Sequence, residues 1–249
     1  MNCNNEDGCS SCYVFEGRIP VWIGGEGEPP EVKEFSGVPY YRFMNKFYVS
    51  NKELDRLSMD EVIRLCRARD KYSSSIDTPN GRVKQVFRAV TMNLSPRVVV
   101  EIGAGSRPLY RAEETPFRYV VLDADLEALA TCEGSKAEFS NEIFRIDASD
   151  RSIDLILAVF VFQFEIYRSQ IEEVARILSD DGVLLVNIYR RSQESRRGLE
   201  ALFRESGLIV NALVDPEGLC KDHEYWVVSK IAETGGRVIN ILIEVIGQH

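Results

Sequence analysis

A chain of 249 residues with 45% hydrophobic and 28% charged residues can bury a full core without disulfide or metal staples, and no stretch approaches the ~20 apolar residues that span a bilayer. With 30 Lys and Arg against 39 Asp and Glu, the formal net charge is −9, which argues against a broad electrostatic grip on nucleic-acid phosphates. The start, Met1-Asn2-Cys3-Asn4-Asn5-Glu6-Asp7, lacks the basic and apolar regions of a secretory signal, so the expected compartment is the cytoplasm, with the cysteines as reduced thiols.

Residues 1–35 read as an appendage carrying Cys3, Cys9 and Cys12. Tyr13-Val14-Phe15 and Ile19–Ile23 flank a turn and predict two short strands. Gly24–Glu31 is a linker. A structural zinc needs four ligands and usually two close pairs. Only Cys9 and Cys12 have the spacing, and no metal is expected.

Residues 36–95 are expected to form a largely helical lid. Ser58-Met59-Asp60-Glu61 is a capping box. A second helix is predicted from about Gly81 to Leu94, where Val83, Val86, Phe87, Val90 and Leu94 recur at helical spacing. Tyr40 and Tyr41 precede both and are candidates for lining a substrate pocket.

Residues 96–249 carry a different pattern. Val98–Val100, Tyr119–Leu122, Ile153–Leu157 and Val183–Val186 are continuous apolar runs, the mark of parallel strands buried on both faces. Helical stripes between them predict right-handed crossovers and a doubly wound α/β sheet. The pair 208–214 and 225–230 predicts an antiparallel edge. Val238–Ile243 is one further candidate strand.

The first strand ends in Glu101-Ile102-Gly103-Ala104-Gly105-Ser106-Arg107-Pro108, and Asp123 ends the next, 18 residues after Gly105. Glycines here let the chain turn sharply and a ligand approach the backbone. A carboxylate at that distance suits a ribose diol. The Gly-x-x-x-x-Gly-Lys motif is absent, and the third glycine of a dinucleotide loop is replaced by Pro108, which is tolerable as the first residue of a helix.

Residues 97–230 resemble a class I S-adenosylmethionine-dependent methyltransferase. The likeness rests on the Glu101–Gly105 loop, Tyr119–Asp123, Phe144-Arg145-Ile146-Asp147-Ala148, Ile153–Leu157 and the helix–turn–strand run Ile171–Val186. It implies a seven-stranded, mostly parallel sheet and S-adenosyl-L-methionine as cofactor. Glu101, Gly103, Ala104, Gly105, Asp123, Ala124, Asp147 and Ala148 would hold it. The Asn/Asp-Pro-Pro-aromatic signature of nucleic-acid amino-methyltransferases is missing. In its place stand Phe160, Phe162 and Gln163, which with Arg190 are candidate substrate contacts. His223, the one internal histidine, is a candidate general base. Five Arg against two Glu across 186–204 offer a face for an anion.

The expected function is methyl transfer to an O, N or S nucleophile of a small molecule, by a monomer or homodimer. RNA or protein methylation, and a non-catalytic cofactor-binding or partner-binding module, are the competing readings.

Overall fold

The computed structural model describes residues 12–24, 27–73, 78–215 and 222–248, with 78–80 in backbone only. Cys3, Cys9 and Cys220 lie outside them. The chain divides between Ser74 and Ser75 into two compact units.

The first unit is built on β1 (Tyr13–Glu16), β2 (Ile19–Trp22), β3 (Val32–Phe35), β4 (Val38–Phe43) and β5 (Phe47–Val49), in the antiparallel order β1-β2-β5-β4-β3. β1 and β2 form the expected hairpin. β3 closes the expected appendage, and β4 and β5 stand where a helical lid was expected. Ser36 and Gly37, with φ of 52° and 78°, make the two-residue left-handed turn that matches strand twist, joining β3 to β4. Tyr40 and Tyr41 are therefore strand residues, and the Tyr40 ring packs edge-on against Phe35. α1 (Met59–Tyr72) starts at the expected capping box: Glu61 N–H donates to Ser58 Oγ at 3.3 Å, and Ser58 N–H to the Glu61 carboxylate at 3.2 Å.

The second unit opens with α2 (Thr78–Leu94), followed by β6 (Val98–Ile102), β7 (Arg118–Asp123), β8 (Ser135–Glu138) and β9 (Ile153–Ala158). Then come α3 (Arg168–Ile177), β10 (Leu178–Ile188), α4 (Gln193–Glu205), β11 (Ile209–Val214), β12 (Glu224–Ser229) and α5 (Ala232–Ile246). Seven strands lie in the order β11-β12-β10-β9-β6-β7-β8. β8, β7, β6, β9 and β10 are parallel, and β12 runs antiparallel between β10 and β11. This is the expected α/β sheet with its antiparallel edge.

Alternation along the strands divides the core. Val99, Val121, Leu155, Leu157, Val183, Leu185 and Val227 face α2 and α5, in a cluster with Phe87, Val90, Val238 and Leu242. Val100, Leu122, Ile156, Leu184, Val186 and Val228 face the other side, with Val174, Leu199 and Phe203. Burial on both faces is why these strands read as unbroken apolar runs.

Two predicted elements come out differently. The tail Val238–Ile243 is helical: Val238, Leu242, Val245 and Ile246 form one buried stripe while Ile243 is 50% exposed, a 3.6-residue period that the β-branched run conceals. The seventh strand is instead β8, a polar stretch, Ser135-Lys136-Ala137-Glu138, on the open edge beside β7. Nor does Pro108 open a helix. The connection from β6 to β7 contains only a short 3-10 turn at Ala112–Glu114. No described helix is long and apolar enough to cross a membrane.

Candidate functional site

The carboxyl ends of β6 and β7 are tied together by backbone and carboxylate. After Ile102 the chain turns through Gly103 (φ 70°) and Gly105 (φ 57°), conformations that favour glycine. The N–H groups of Gly103 and Ala104 both donate to the Leu122 carbonyl, at 2.7 and 3.2 Å. A Cβ on Gly103 would overlap Val161, whereas a Cβ on Gly105 would meet nothing within 4 Å. The first glycine is thus filled from the β9 side, and the second leaves open space.

Asp123 organises this edge. Its Oδ2 accepts Gly105 N–H at 2.8 Å and its Oδ1 accepts Asp125 N–H at 2.9 Å. Burial pushes its carboxyl pKa up, against the pull of those backbone donors. A carboxylate has about four lone-pair sites, and the backbone donors of Asp125, Gly105 and Ala124 do not fill them all. Asp125 is the other acid of Asp123-Ala124-Asp125. It is buried and accepts Glu127 N–H at 3.1 Å, holding the next turn. Ala124 lies half-buried between them.

Glu101 works from beneath the loop. It is buried, and one carboxylate oxygen accepts Leu109 N–H at 2.8 Å and the Tyr119 hydroxyl. Burial raises its pKa, and burial, followed by the Glu101 charge, raises that of Tyr119. This capture of Leu109 N–H anchors the irregular stretch 103–109 that stands where a helix was expected.

Asp147 is exposed, and the Ala148 N–H beside it donates to the Ile146 carbonyl at 2.7 Å. The segment is held by Glu173 of α3, which carried no sequence signal of its own. Glu173 is 2% exposed. It accepts Ile146 N–H at 2.7 Å and pairs with Arg145 and Arg176, while Arg176 donates to the carbonyls of Ile146 and Ala148. The Arg176 guanidinium holds the Glu173 carboxyl below its ordinary range, although burial opposes it.

The candidate substrate residues separate. Tyr40 and Tyr41 belong to β4 of the first unit. Phe162 is a core residue, 3% exposed and stacked on Phe203 at 5.9 Å, on the α3–α4 side of the sheet. Phe160 packs on the opposite face, half-buried, with φ 59°. Its N–H donates to Asn187 Oδ1 at 2.7 Å and its ring meets Tyr189 edge-on at 5.5 Å. Gln163 is fully buried, and neither amide atom has a hydrogen-bond partner among the described residues. Arg190 is exposed in a left-handed turn. The arginine-rich stretch is partly spent internally: Arg191 donates to the Phe164 carbonyl at 2.6 Å, and buried Arg196 pairs with Glu224 at 2.6 Å.

His223 is 2% exposed, and its Nδ1 lies 2.9 Å from Asp215 Oδ2. Both Asp215 oxygens also accept from Arg82 Nη1 of α2, at 3.0 and 2.8 Å. Burial, helped by the charges of Arg82 and Arg196, lowers the His223 pKa against the pull of Asp215. Asp215 and Arg82 carried no sequence signal, because neither sits in a motif and they are 133 residues apart. Among the described residues no group of three or more His, Cys, Asp or Glu is placed to hold a metal.

No protein-family model matches the sequence, and no curated protein matches it. Solved structures do match. The CurJ carbon methyltransferase superposes with a TM-score of 0.51 at 12% identity, over 70% of this chain and 59% of that one. A TehB-like methyltransferase from Corynebacterium glutamicum matches with a TM-score of 0.49 at 14% identity, over 69% and 97%. The PH0226 protein from Pyrococcus horikoshii matches with 0.49 at 12%, over 66% and 96%. The first of these likenesses is one of fold: the second unit, with its strand order β11-β12-β10-β9-β6-β7-β8, has the α/β fold of class I S-adenosylmethionine-dependent methyltransferases.

Proposed function

We propose that this chain is an S-adenosylmethionine-dependent methyltransferase acting on a small-molecule nucleophile. The observation that supports it most directly is Asp123 bonded to Gly105 N–H at the ends of adjacent strands. That arrangement pre-forms a ribose-binding carboxylate beside open backbone.

The residues present fit the cofactor. Asp123 keeps acceptor capacity for a ribose hydroxyl. Gly105 leaves room for close approach, Glu101 and Ala104 shape the loop, and Asp147 with Ala148 borders the edge where an adenine would lie. Acids in this region suit a ligand with cationic sulfonium and ammonium groups and no phosphate. When bound, the cofactor supplies an electrophilic methyl group and its leaving group. The chain contributes orientation, and it excludes water through the packed loop after β9. The acidic balance of the sequence favours a small acceptor over a polyanion.

Calorimetry and thermal unfolding with S-adenosylhomocysteine test the proposal. Binding with a raised melting temperature is expected, with no response to NAD or ATP. Absence of any heat with either S-adenosyl compound would overturn the reading.

A further inference from the structure

The loop after β6 leads into β7 with no α-helix between them. A loop without a helix behind it must find partners for its backbone groups one by one, and here they come from three elements. β7 meets the first N–H groups: Gly103 and Ala104 donate to the Leu122 carbonyl, and Gly105 donates to Asp123. Glu101 of β6 takes the N–H of Leu109. The carbonyls further along are met by α2. Lys84 Nζ donates to the Arg107 carbonyl at 2.8 Å, and Arg88 Nε donates to the Leu109 carbonyl at 2.9 Å. Lys84 and Arg88 stand one helical turn apart and so reach out from one face of α2. The Tyr110 hydroxyl returns to the Arg88 carbonyl at 3.4 Å. Leu109, itself 2% exposed, is thus gripped by its N–H and its carbonyl at once. Arg88 is exposed and Lys84 half-buried, whereas α2 is seated in the core by Val83, Val86, Phe87 and Val90. The two cations therefore contribute little to the seating of α2; what they hold is the loop.

Resting on the methyltransferase reading, we propose that Lys84 and Arg88 are positioning residues for the cofactor, and that α2 is a splint that keeps the loop after β6 in its binding shape. Lys84 acts through Arg107 and Arg88 through Leu109; neither touches the ligand. The open backbone at Gly105 lies between the ties to the sheet and the ties to α2. Cut from α2, the loop spends part of its time in shapes that cannot bind. Apparent affinity then falls by the fraction of time lost. The loss appears as slower association with unchanged dissociation, because the bound complex is the same. A side chain that touched the ligand would change dissociation instead. Each tie is one donor on one carbonyl. Lysine and arginine are therefore interchangeable here, as they are not where a guanidinium binds with two donors. Methionine keeps an apolar stem and removes the donor.

The test compares the full chain with Lys84→Met, Arg88→Met, Lys84→Arg and Arg88→Lys. Hydrogen exchange without ligand is read first. In Arg88→Met the amides of 103–110 are expected to exchange at least tenfold faster, with 98–102 and 118–123 within twofold of wild type. Unchanged exchange in the loop overturns the splint whatever the cofactor does. Surface plasmon resonance with S-adenosylhomocysteine is read second. Association is expected to slow at least fivefold in each methionine variant, with dissociation within twofold of wild type. Lys84→Arg and Arg88→Lys are expected to restore both rates to within twofold. Faster dissociation in the methionine variants assigns these side chains to the ligand itself and overturns the proposal. A loosened loop with unchanged affinity overturns the positioning role and leaves the cofactor reading intact. Failure of S-adenosylhomocysteine to bind the wild type overturns both. Lys84 and Arg88 report independently, so if one methionine variant does not fold the other decides the outcome.

Discussion

The carboxylate of Asp123 takes the backbone N–H of Gly105 at 2.8 Å, across from β7 to the loop after β6. The two residues stand 18 apart in the chain, and their bond sets the shape of the candidate cofactor site before any ligand arrives. Asp123→Ala removes this bond and the one from Asp125 N–H. It should cost about 1–3 kcal/mol of stability through the stranded donors, seen as a lower urea midpoint, and weaken S-adenosylhomocysteine at least tenfold by calorimetry. Asp123→Asn, which keeps one acceptor oxygen, should lose less stability but comparable affinity.

Gly103→Ala forces a side chain into a left-handed residue and onto Val161. The expected loss is about 1–3 kcal/mol. Pairing it with Val161→Ala should recover part of that loss, because the double change removes the overlap and leaves only the backbone strain. Gly105→Ala has strain without overlap and should cost about 1 kcal/mol. A double-mutant cycle by chemical denaturation measures the coupling.

Glu173→Ala leaves Ile146 N–H, Arg145 and Arg176 without their buried anion. The expected destabilisation is about 1–3 kcal/mol, that of stranding a buried N–H, because Arg145 is largely exposed and Arg176 keeps Asp150 and two carbonyls. Hydrogen exchange should show lost protection concentrated at 145–148 rather than spread over β9 and β10.

His223 adds a pH dependence whose sign follows from its lowered folded pKa. Between the ordinary value of 6.5 and the folded value, the unfolded chain binds the proton and the native chain does not. The contribution of His223 to stability is therefore complete above 6.5 and falls as the pH drops through the folded value. Urea midpoints measured from pH 8 down to pH 5 should fall more steeply for the wild type than for His223→Gln.

The sequence made the sheet unit legible because each of its central strands is buried on both faces, which leaves runs such as Val98–Val100 and Val183–Val186 without polar interruption. The capping box at Ser58 was equally plain, since both halves of its pairing are local. The short strands of the first unit escaped: Val32-Lys33-Glu34-Phe35 and Phe47-Tyr48-Val49 are too brief to show a period. α5 was misread because Val238–Ile243 has strand composition, and only the positions of Leu242, Val245 and Ile246 reveal the helical stripe. At the candidate site, the glycines and Asp123 lie at motif spacing and could be read. Asp215, Arg82 and Glu173 could not, because their partners are brought together only by the finished fold.

The packing of α2 against α5 has a consequence for how the chain is made. α2 is the first element of its unit and α5 the last, and the apolar stripe Val83, Val86, Phe87 and Val90 shares one cluster with Val238, Leu242 and Val245. A ribosome adding roughly 5–20 residues per second leaves that stripe without its final cover for on the order of ten seconds. β6 meanwhile is an interior strand, beside the central β9, and waits for β9 to flank its second side. The nascent chain thus carries a sticky surface through most of its synthesis, and slow translation or a premature stop before Ala232 should feed chaperones or aggregates rather than a shortened but usable protein.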